Sequence, residues 1–157
     1  MLYLESLNRS LHQLIEQDKN IILIGEDILD PYGGAFKVTK GISSKFPDQV
    51  ISTPISEAGF VGAATGMAMR GLKPIVEIMF GDFIGLAFDQ ILNHASKYEW
   101  MYNNSVSVPI LIRTPVGARR GYGPTHSQSL ESMFLPISGI EIVSPSIFHN
   151  PGLCFRT

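Results

Sequence analysis

At 157 residues the chain has the size of one domain and is long enough to bury a real core. Hydrophobic residues make up 45% and charged ones 17%, and a formal net charge of -2 with no long run of one sign argues against capture of nucleic acid or of an anionic membrane. The single cysteine, Cys154, excludes an intramolecular disulfide framework and fits a reducing compartment, and no apolar stretch is long and charge-free enough to span a bilayer, so a soluble, cytoplasmic protein is expected.

In chain order, residues 3–18 place Leu4, Leu7, Leu11 and Ile15 at helical spacing. With Glu5 among them, the segment reads as an amphipathic helix rather than a signal or transit peptide. NIILIG (20–25) is a short apolar run ending in glycine, as expected of a strand buried on both faces. DPYGGAF (30–36) is turn chemistry, followed by a short helix over 38–46 and a strand over 49–53. Residues 56–71 read as a helix, with Ser56 as N-cap and Gly71 at its stop. A strand over 73–80 precedes a helix over 82–102 that carries Phe88, Leu92 and Ala95 on one stripe. A strand over 108–115, a glycine-rich loop, a short helix over 127–134 and a last strand over 140–145 complete the pattern.

Apolar strands alternating with helices predict an α/β fold with a doubly wound, mainly parallel sheet flanked by helices. There is no internal repeat or linker, so residues 1–157 form one domain. The tail SIFHNPGLCFRT begins a unit that does not close, so a truncated domain from a longer subunit is expected. In such sheets ligands gather at the carboxyl ends of the strands. TPISEAG, FGDF and GARRGYGPTHSQ fall there.

Glu57 opens a helix that contains Gly59, Gly62 and Gly66. Each helical glycine costs about 1 kcal/mol relative to alanine, so another backbone or a ligand close to this helix is expected. From residue chemistry two readings stay open. Glu57 complements the helix dipole while the glycines permit tight packing, or it is a functional acid/base group.

The spacing from Glu57 is four residues, Gly62, Ala63, two residues, Gly66, Met67, which resembles the glutamate–glycine signature of thiamine-diphosphate enzymes on the domain that holds the aminopyrimidine. GED (25–27), GGAFKVTKG (33–41), TPISEAGFVGAATGMAMRG (53–71), FDQI (88–91) and HSQS (126–129) resemble, in order, the beta subunit of the first component of 2-oxo-acid dehydrogenases. That family includes pyruvate, branched-chain 2-oxo-acid and acetoin dehydrogenases. The likeness runs from about Ile22 to Pro145.

The resemblance implies the thiamine-diphosphate-binding fold of a transketolase-like pyrimidine-binding domain, and thiamine diphosphate as cofactor. It makes Glu57 the residue that hydrogen-bonds a ring nitrogen of the aminopyrimidine, so that the cofactor can lose its thiazolium proton. Ile55 matches a pocket wall, and Phe83 an aromatic position against the pyrimidine ring; on residue chemistry alone Phe83 equally suits a core position of the next helix. His126 matches a histidine that assists decarboxylation or acyl transfer. As an isolated residue it is also an ordinary structural histidine beside Thr125 and Gln128, which could form a capping box. Met79 departs from the glutamine of branched-chain enzymes. Arg119 and Arg120 could steer a carboxylate but read as solvated loop residues.

Ile110 matches one backbone-carbonyl position of the family's monovalent cation (K+) site, whose other ligands would fall beyond residue 157. The chain has no GDG…N segment for the Mg2+ that holds the diphosphate. The resemblance therefore implies that an alpha subunit supplies that half in an alpha2–beta2 heterotetramer, with a lipoyl acyltransferase as acyl acceptor and a small 2-oxo acid as substrate. The isolated chain is expected to show no turnover and poor cofactor affinity. Two other readings are a transketolase-like or deoxyxylulose-phosphate-synthase-like transferase, and an inactive truncated chain that serves in assembly.

Overall fold

In the computed structural model, which describes residues 3–146 and 148–155, Leu7, Leu11 and Ile15 form the buried stripe of helix α1 (Tyr3–Gln17). Leu4, expected on the same stripe, is exposed. The strands are β1 (Ile21–Glu26), β2 (Val50–Thr53), β3 (Lys73–Glu77) and β4 (Leu111–Arg113). They form one sheet in the order β2-β1-β3-β4, and every pairing is parallel. The predicted α/β architecture with a parallel sheet is therefore present.

The central strands β1 and β3 are mainly apolar because both of their faces are covered. Leu23 and Ile75 point to one face, where they pack with Leu7, Leu11 and Ile15 of α1 and with Ile42 of α2 (Ile42–Lys45). Ile24 and Val76, one residue on, point to the other face. There they meet Phe60, Val61 and Ala64 of α3 (Glu57–Met69), together with Ile91 and Phe134. The two-residue period of a strand thus divides the core into two layers. Gln49 joins the end of α1 to the start of β1, since its buried amide nitrogen lies 3.1, 3.0 and 2.9 Å from the carbonyls of Ile15, Asp18 and Ile21.

Two devices set the central register. Gly25 faces Glu77 across β1 and β3, and a Cβ on Gly25 would lie 2.3 Å from the Glu77 carbonyl oxygen, so no other residue fits. Glu77 in turn faces Arg113 across β3 and β4, where the guanidinium donates Nε–H to Oε2 at 2.6 Å and Nη2–H to Oε1. Glu77 is fully buried, and the bidentate geometry satisfies it.

Several expected elements are shorter or broken. The helix over 38–46 is reduced to Ile42–Lys45, because Gly41 is left-handed (φ 83°). Asp30 supplies its cap from outside, accepting the amides of Gly41 (2.7 Å) and Ser44 (3.1 Å) and the hydroxyls of Ser43 and Ser44. The helix over 82–102 is a 3-10 segment (Gly81–Ala87), a wider π turn (Gln90–Ala95) and α4 (Tyr98–Met101). Tertiary bonds compete with its ladder, since Gly81 N–H donates to the Pro115 carbonyl and Asp82 is bonded to Gln128. The helix over 127–134 is reduced to α5 (Glu131–Phe134).

The strand expected over 140–145 is absent. Ile140 and Ile142 do pack on the second core layer, but their backbone finds no ladder partner among the described residues, and an apolar run becomes a strand only when it is paired. At α3, Ser56 occupies the N-cap position without making the side-chain cap bond, while Gly71 (φ 91°) closes the helix as expected. Of the tail 146–157, residues 147, 156 and 157 lie outside the described residues.

Replacing Arg113 with Met strands a buried carboxylate and should lower stability by about 3–5 kcal/mol, read as a shift of the urea midpoint. Hydrogen bonds from Gly41 and Ser44 hold the Asp30 carboxyl at about 2, below its ordinary 3.8. Because the folded value is the lower one, this stabilisation is complete above the ordinary value and is lost as pH falls towards the folded one. Acid unfolding of Asp30→Ala should therefore lack that component, and the gap in stability between wild type and variant should close below about pH 2.

Candidate active site

Because all four strands are parallel, their carboxyl ends lie along one edge, where the following loops meet. On β2 that edge is Thr53, paired in register with Glu26 of β1, and Glu57 follows as the first residue of α3. Glu57 is only 6% exposed, yet among the described residues it has no hydrogen-bond or ion-pair partner. The Thr53 hydroxyl is also buried without a partner. Burial, then the negative charges of Asp27 and Glu57, raise the Glu26 carboxyl above the ordinary carboxylate range. Two carboxylates and an unsatisfied hydroxyl therefore share one partly desolvated place.

The loops after β1, β3 and β4 supply an aromatic wall. The imidazole of His126 packs against Phe80 (4.8 Å between centroids, 78°) and Phe83 (5.1 Å, 89°). Both contacts are edge-to-face, as ring quadrupoles favour. Phe80 also meets Tyr122 (5.6 Å) and Phe36 (6.2 Å). Phe36 lies under the Arg120 guanidinium, 5.1 Å from its ring. Phe36 and Lys37 have left-handed backbones (φ 56° and 62°), a strained pair for side-chain-bearing residues and one that brings the β1 loop across to the β3 loop.

Among the residues expected from sequence, Phe83 and His126 are in contact, and Glu57 stands at the β1–β2 end of the same edge. Ile55, two residues before Glu57, is 76% exposed. Ile110 lies apart from these, just before β4 and therefore at its amino end, half-buried against the second core layer. No capping box forms at Thr125 and Gln128. The Thr125 hydroxyl lies 3.0 Å from Nδ1 of His126, and the Gln128 amide donates to Asp82 at 2.8 Å.

The close neighbour expected at the α3 glycines is only partly present. A Cβ on Gly59 would lie 2.6 Å from the Ser56 hydroxyl and Gly62 meets Gln90, but nothing lies within 4 Å of a Cβ built on Gly66, and Gly59, Ala63 and Gly66 are exposed. This small-residue face is not covered by the chain itself.

Glu26, Phe36, Phe80, Tyr122 and Asp82 join the site although sequence reasoning did not single them out. Glu26 and Phe36 stand inside GED and GGAF, so the signal was present in those motifs. Phe80 and Asp82 stand inside FGDF and Tyr122 inside GARRGYGPTHSQ, but their contacts needed the pairing of β3 with β4. An open depression of about 490 Å3, lined by Asp27, Leu29, Asp30, Tyr32, Lys37 and Ser52, contains neither Glu57 nor His126. Among the described residues no group of His, Cys, Asp and Glu could hold a metal ion, and no helix is long and apolar enough to cross a membrane.

A parallel α/β sheet with a buried carboxylate and aromatic side chains at its carboxyl edge defines the class as that of cofactor-binding α/β domains. The profile described as "Transketolase, pyrimidine binding domain" matches residues 1–147, and the chain belongs to that family. The acetoin:2,6-dichlorophenolindophenol oxidoreductase subunit beta of Cupriavidus necator is 40% identical over 150 residues, covering 90% of this chain and 44% of that protein. The pyruvate dehydrogenase E1 component subunit beta of Leifsonia xyli is 40% identical over 147 residues, covering 93% and 43%. The chain thus spans less than half the length of these curated relatives. A solved structure described as "Split gene transketolase, inactive beta4 tetramer" superposes with a TM-score of 0.60 at 23% identity, covering 83% of this chain and 38% of that one, which supports the fold.

Substituting Glu57 with Gln removes one of the negative charges that raise Glu26. The Glu26 carboxyl should then titrate at lower pH than in wild type, as followed by NMR of its side-chain carbon.

Proposed function

We propose that the chain is the pyrimidine-binding half of a thiamine-diphosphate-dependent 2-oxo-acid dehydrogenase, contributed by its beta subunit. The observation that carries this reading is Glu57, a buried carboxylate at the carboxyl edge with no partner among the described residues. A carboxylate without a partner at this edge is placed to share a proton with a heterocycle brought beside it. The residues present fit that group. Glu57 would hold and move a proton at a ring nitrogen, Phe83 would pack against the ring, and Ile55 would wall it. When bound, the cofactor supplies the electron sink for decarboxylating a 2-oxo acid. His126, an imidazole suited to proton transfer near neutral pH, would serve substrate or acyl acceptor.

Relatives named as beta subunits of acetoin and pyruvate-oxidising enzymes support the substrate class. The uncovered face of Gly59, Ala63 and Gly66 and the exposed Ile55 suit packing by a second chain. That partner would be an alpha subunit holding Mg2+ and the diphosphate in an alpha2–beta2 assembly, with a lipoyl acyltransferase accepting the acyl group. The Ile110 carbonyl would contribute to a monovalent cation site. On this reading the chain alone binds thiamine diphosphate poorly, and the assembly works in the cytoplasm.

In the chain assembled with its diphosphate-binding partner, Glu57→Gln should preserve assembly and lower 2-oxo-acid-dependent reduction of an artificial electron acceptor by about 100-fold or more. Turnover near that of wild type would remove Glu57 from the mechanism.

A further inference from the structure

Four consecutive residues after β3 grip the loop that carries His126. Phe80 and Phe83 pack on the imidazole at 4.8 and 5.1 Å. Gly81 donates its amide to the Pro115 carbonyl at 2.9 Å, and a Cβ there would lie 2.5 Å from Val116 Cγ1. Asp82 accepts the Gln128 side-chain amide at 2.8 Å and approaches the Gln128 main-chain amide at 3.3 and 3.4 Å. Gln128 is two residues beyond His126 and 46 from Asp82, so this bond is a tertiary clamp and not a turn.

Between these points the loop is anchored by the Tyr122 and Arg120 side chains against Phe80 and Phe36, while its glycines pack on nothing. Gly117, Gly121 and Gly123 are left-handed, nothing meets a Cβ within 4 Å at any of them, and Arg119 also has positive φ (66°). Its internal bonds run from Arg120 to the Val116 and Gly117 carbonyls and from Ser127 to the Gly123 carbonyl, and Gly117 N–H reaches the Gln128 carbonyl at 3.3 Å across its base. A glycine-rich loop of this kind samples many conformations unless its ends are held. One end is held by Gly81, through the Pro115–Val116 contact. The other is held by Asp82.

We propose that Asp82 is a positioning residue for His126: its carboxylate fastens Gln128 and thereby keeps the imidazole against Phe80 and Phe83 at the site. The inference rests on the reading of His126 as the proton-transfer group. Burial works against an ionised Asp82, but hydrogen bonds led by the Gln128 side chain prevail and hold its carboxyl below the usual carboxylate range. Bonds to a charged acceptor are the stronger kind, which suits a clamp on a glycine-rich loop.

The test is NMR of the purified full chain, with the His126 ring resonances assigned through His126→Gln. In wild type they are displaced from free-histidine positions by the currents of the two phenylalanine rings. Asp82→Ala and Gln128→Ala should each move them towards free-histidine positions, and Asp82→Ala should also speed exchange of the Gln128 main-chain amide by about tenfold or more. Asp82→Asn, whose oxygen can still accept the Gln128 amide, should stay near wild type, and the double alanine variant should shift no further than either single one. Gln128 is exposed, so its alanine variant reads the clamp even if Asp82→Ala fails to fold. Unmoved His126 resonances in Gln128→Ala, or Asp82→Asn displaced as far as Asp82→Ala, would overturn the proposal. These spectra need neither cofactor nor partner. Turnover of His126→Ala in the assembled enzyme tests the histidine's role separately, so clamp and function can fail independently.

Discussion

The buried pair between Glu77 and Arg113 is the contact on which the site's geometry depends. A fully buried carboxylate is tolerable only with its charge matched and its oxygens bonded, and the guanidinium does both from the neighbouring strand. That requirement fixes the register of β3 against β4, because a slip of one residue would turn Glu77 and Arg113 to opposite faces. On the other side of Glu77, Gly25 fixes β1 against β3 by leaving no space for a side chain. With these registers set, Ile78 N–H bonds to the Arg113 carbonyl and Gly81 N–H to the Pro115 carbonyl. The loops after β3 and β4 are then laid side by side. The contact of His126 with Phe80 and Phe83 follows from that alignment.

The edge so formed has two unequal parts. At the β1–β2 end, Glu57 and the half-buried Glu26 stand close to each other, and the Thr53 hydroxyl is buried without a partner among the described residues. At the β3–β4 end, the aromatic groups satisfy one another through ring contacts. The strained backbone at Phe36 and Lys37 connects the two. An edge that is apolar and ordered on one side and polar and unsatisfied on the other is suited to a planar heterocycle with one polar rim. Along the small-residue face of α3, Gly59 and Gly62 have neighbours in Ser56 and Gln90, whereas Gly66 carries its helical cost without a close contact among the described residues.

Much of this was legible before any coordinates. Apolar runs separated by helical periods named the parallel sheet, since strands buried on both faces cannot alternate in polarity. Glu57 at the start of a glycine-bearing helix, Phe83 after β3 and His126 in the later loop were named from motifs and their order. Their common edge followed from the parallel topology. The errors lay where local pattern competed with tertiary bonds. Residues 140–145 have a strand's composition and no strand to pair with. Residues 82–102 have helical periodicity, but Gly81 and Asp82 are committed to the β4 loop, so the first turns wind more tightly.

The sequence by itself determined the alternation of strands and helices up to β4, the two-faced burial of the central strands and the places of Glu57, Phe83 and His126 after their strands. Those properties are carried by single residues and short periods. Only the tertiary structure decided that Glu26 shares the desolvated place of Glu57, that Phe36 and Phe80 complete the wall around His126, and that Asp82 holds Gln128. Each of these joins residues from separate loops, and the registers of β1, β3 and β4 bring those loops together. A register is set by the balance of buried charge and backbone clearance, which no local pattern encodes.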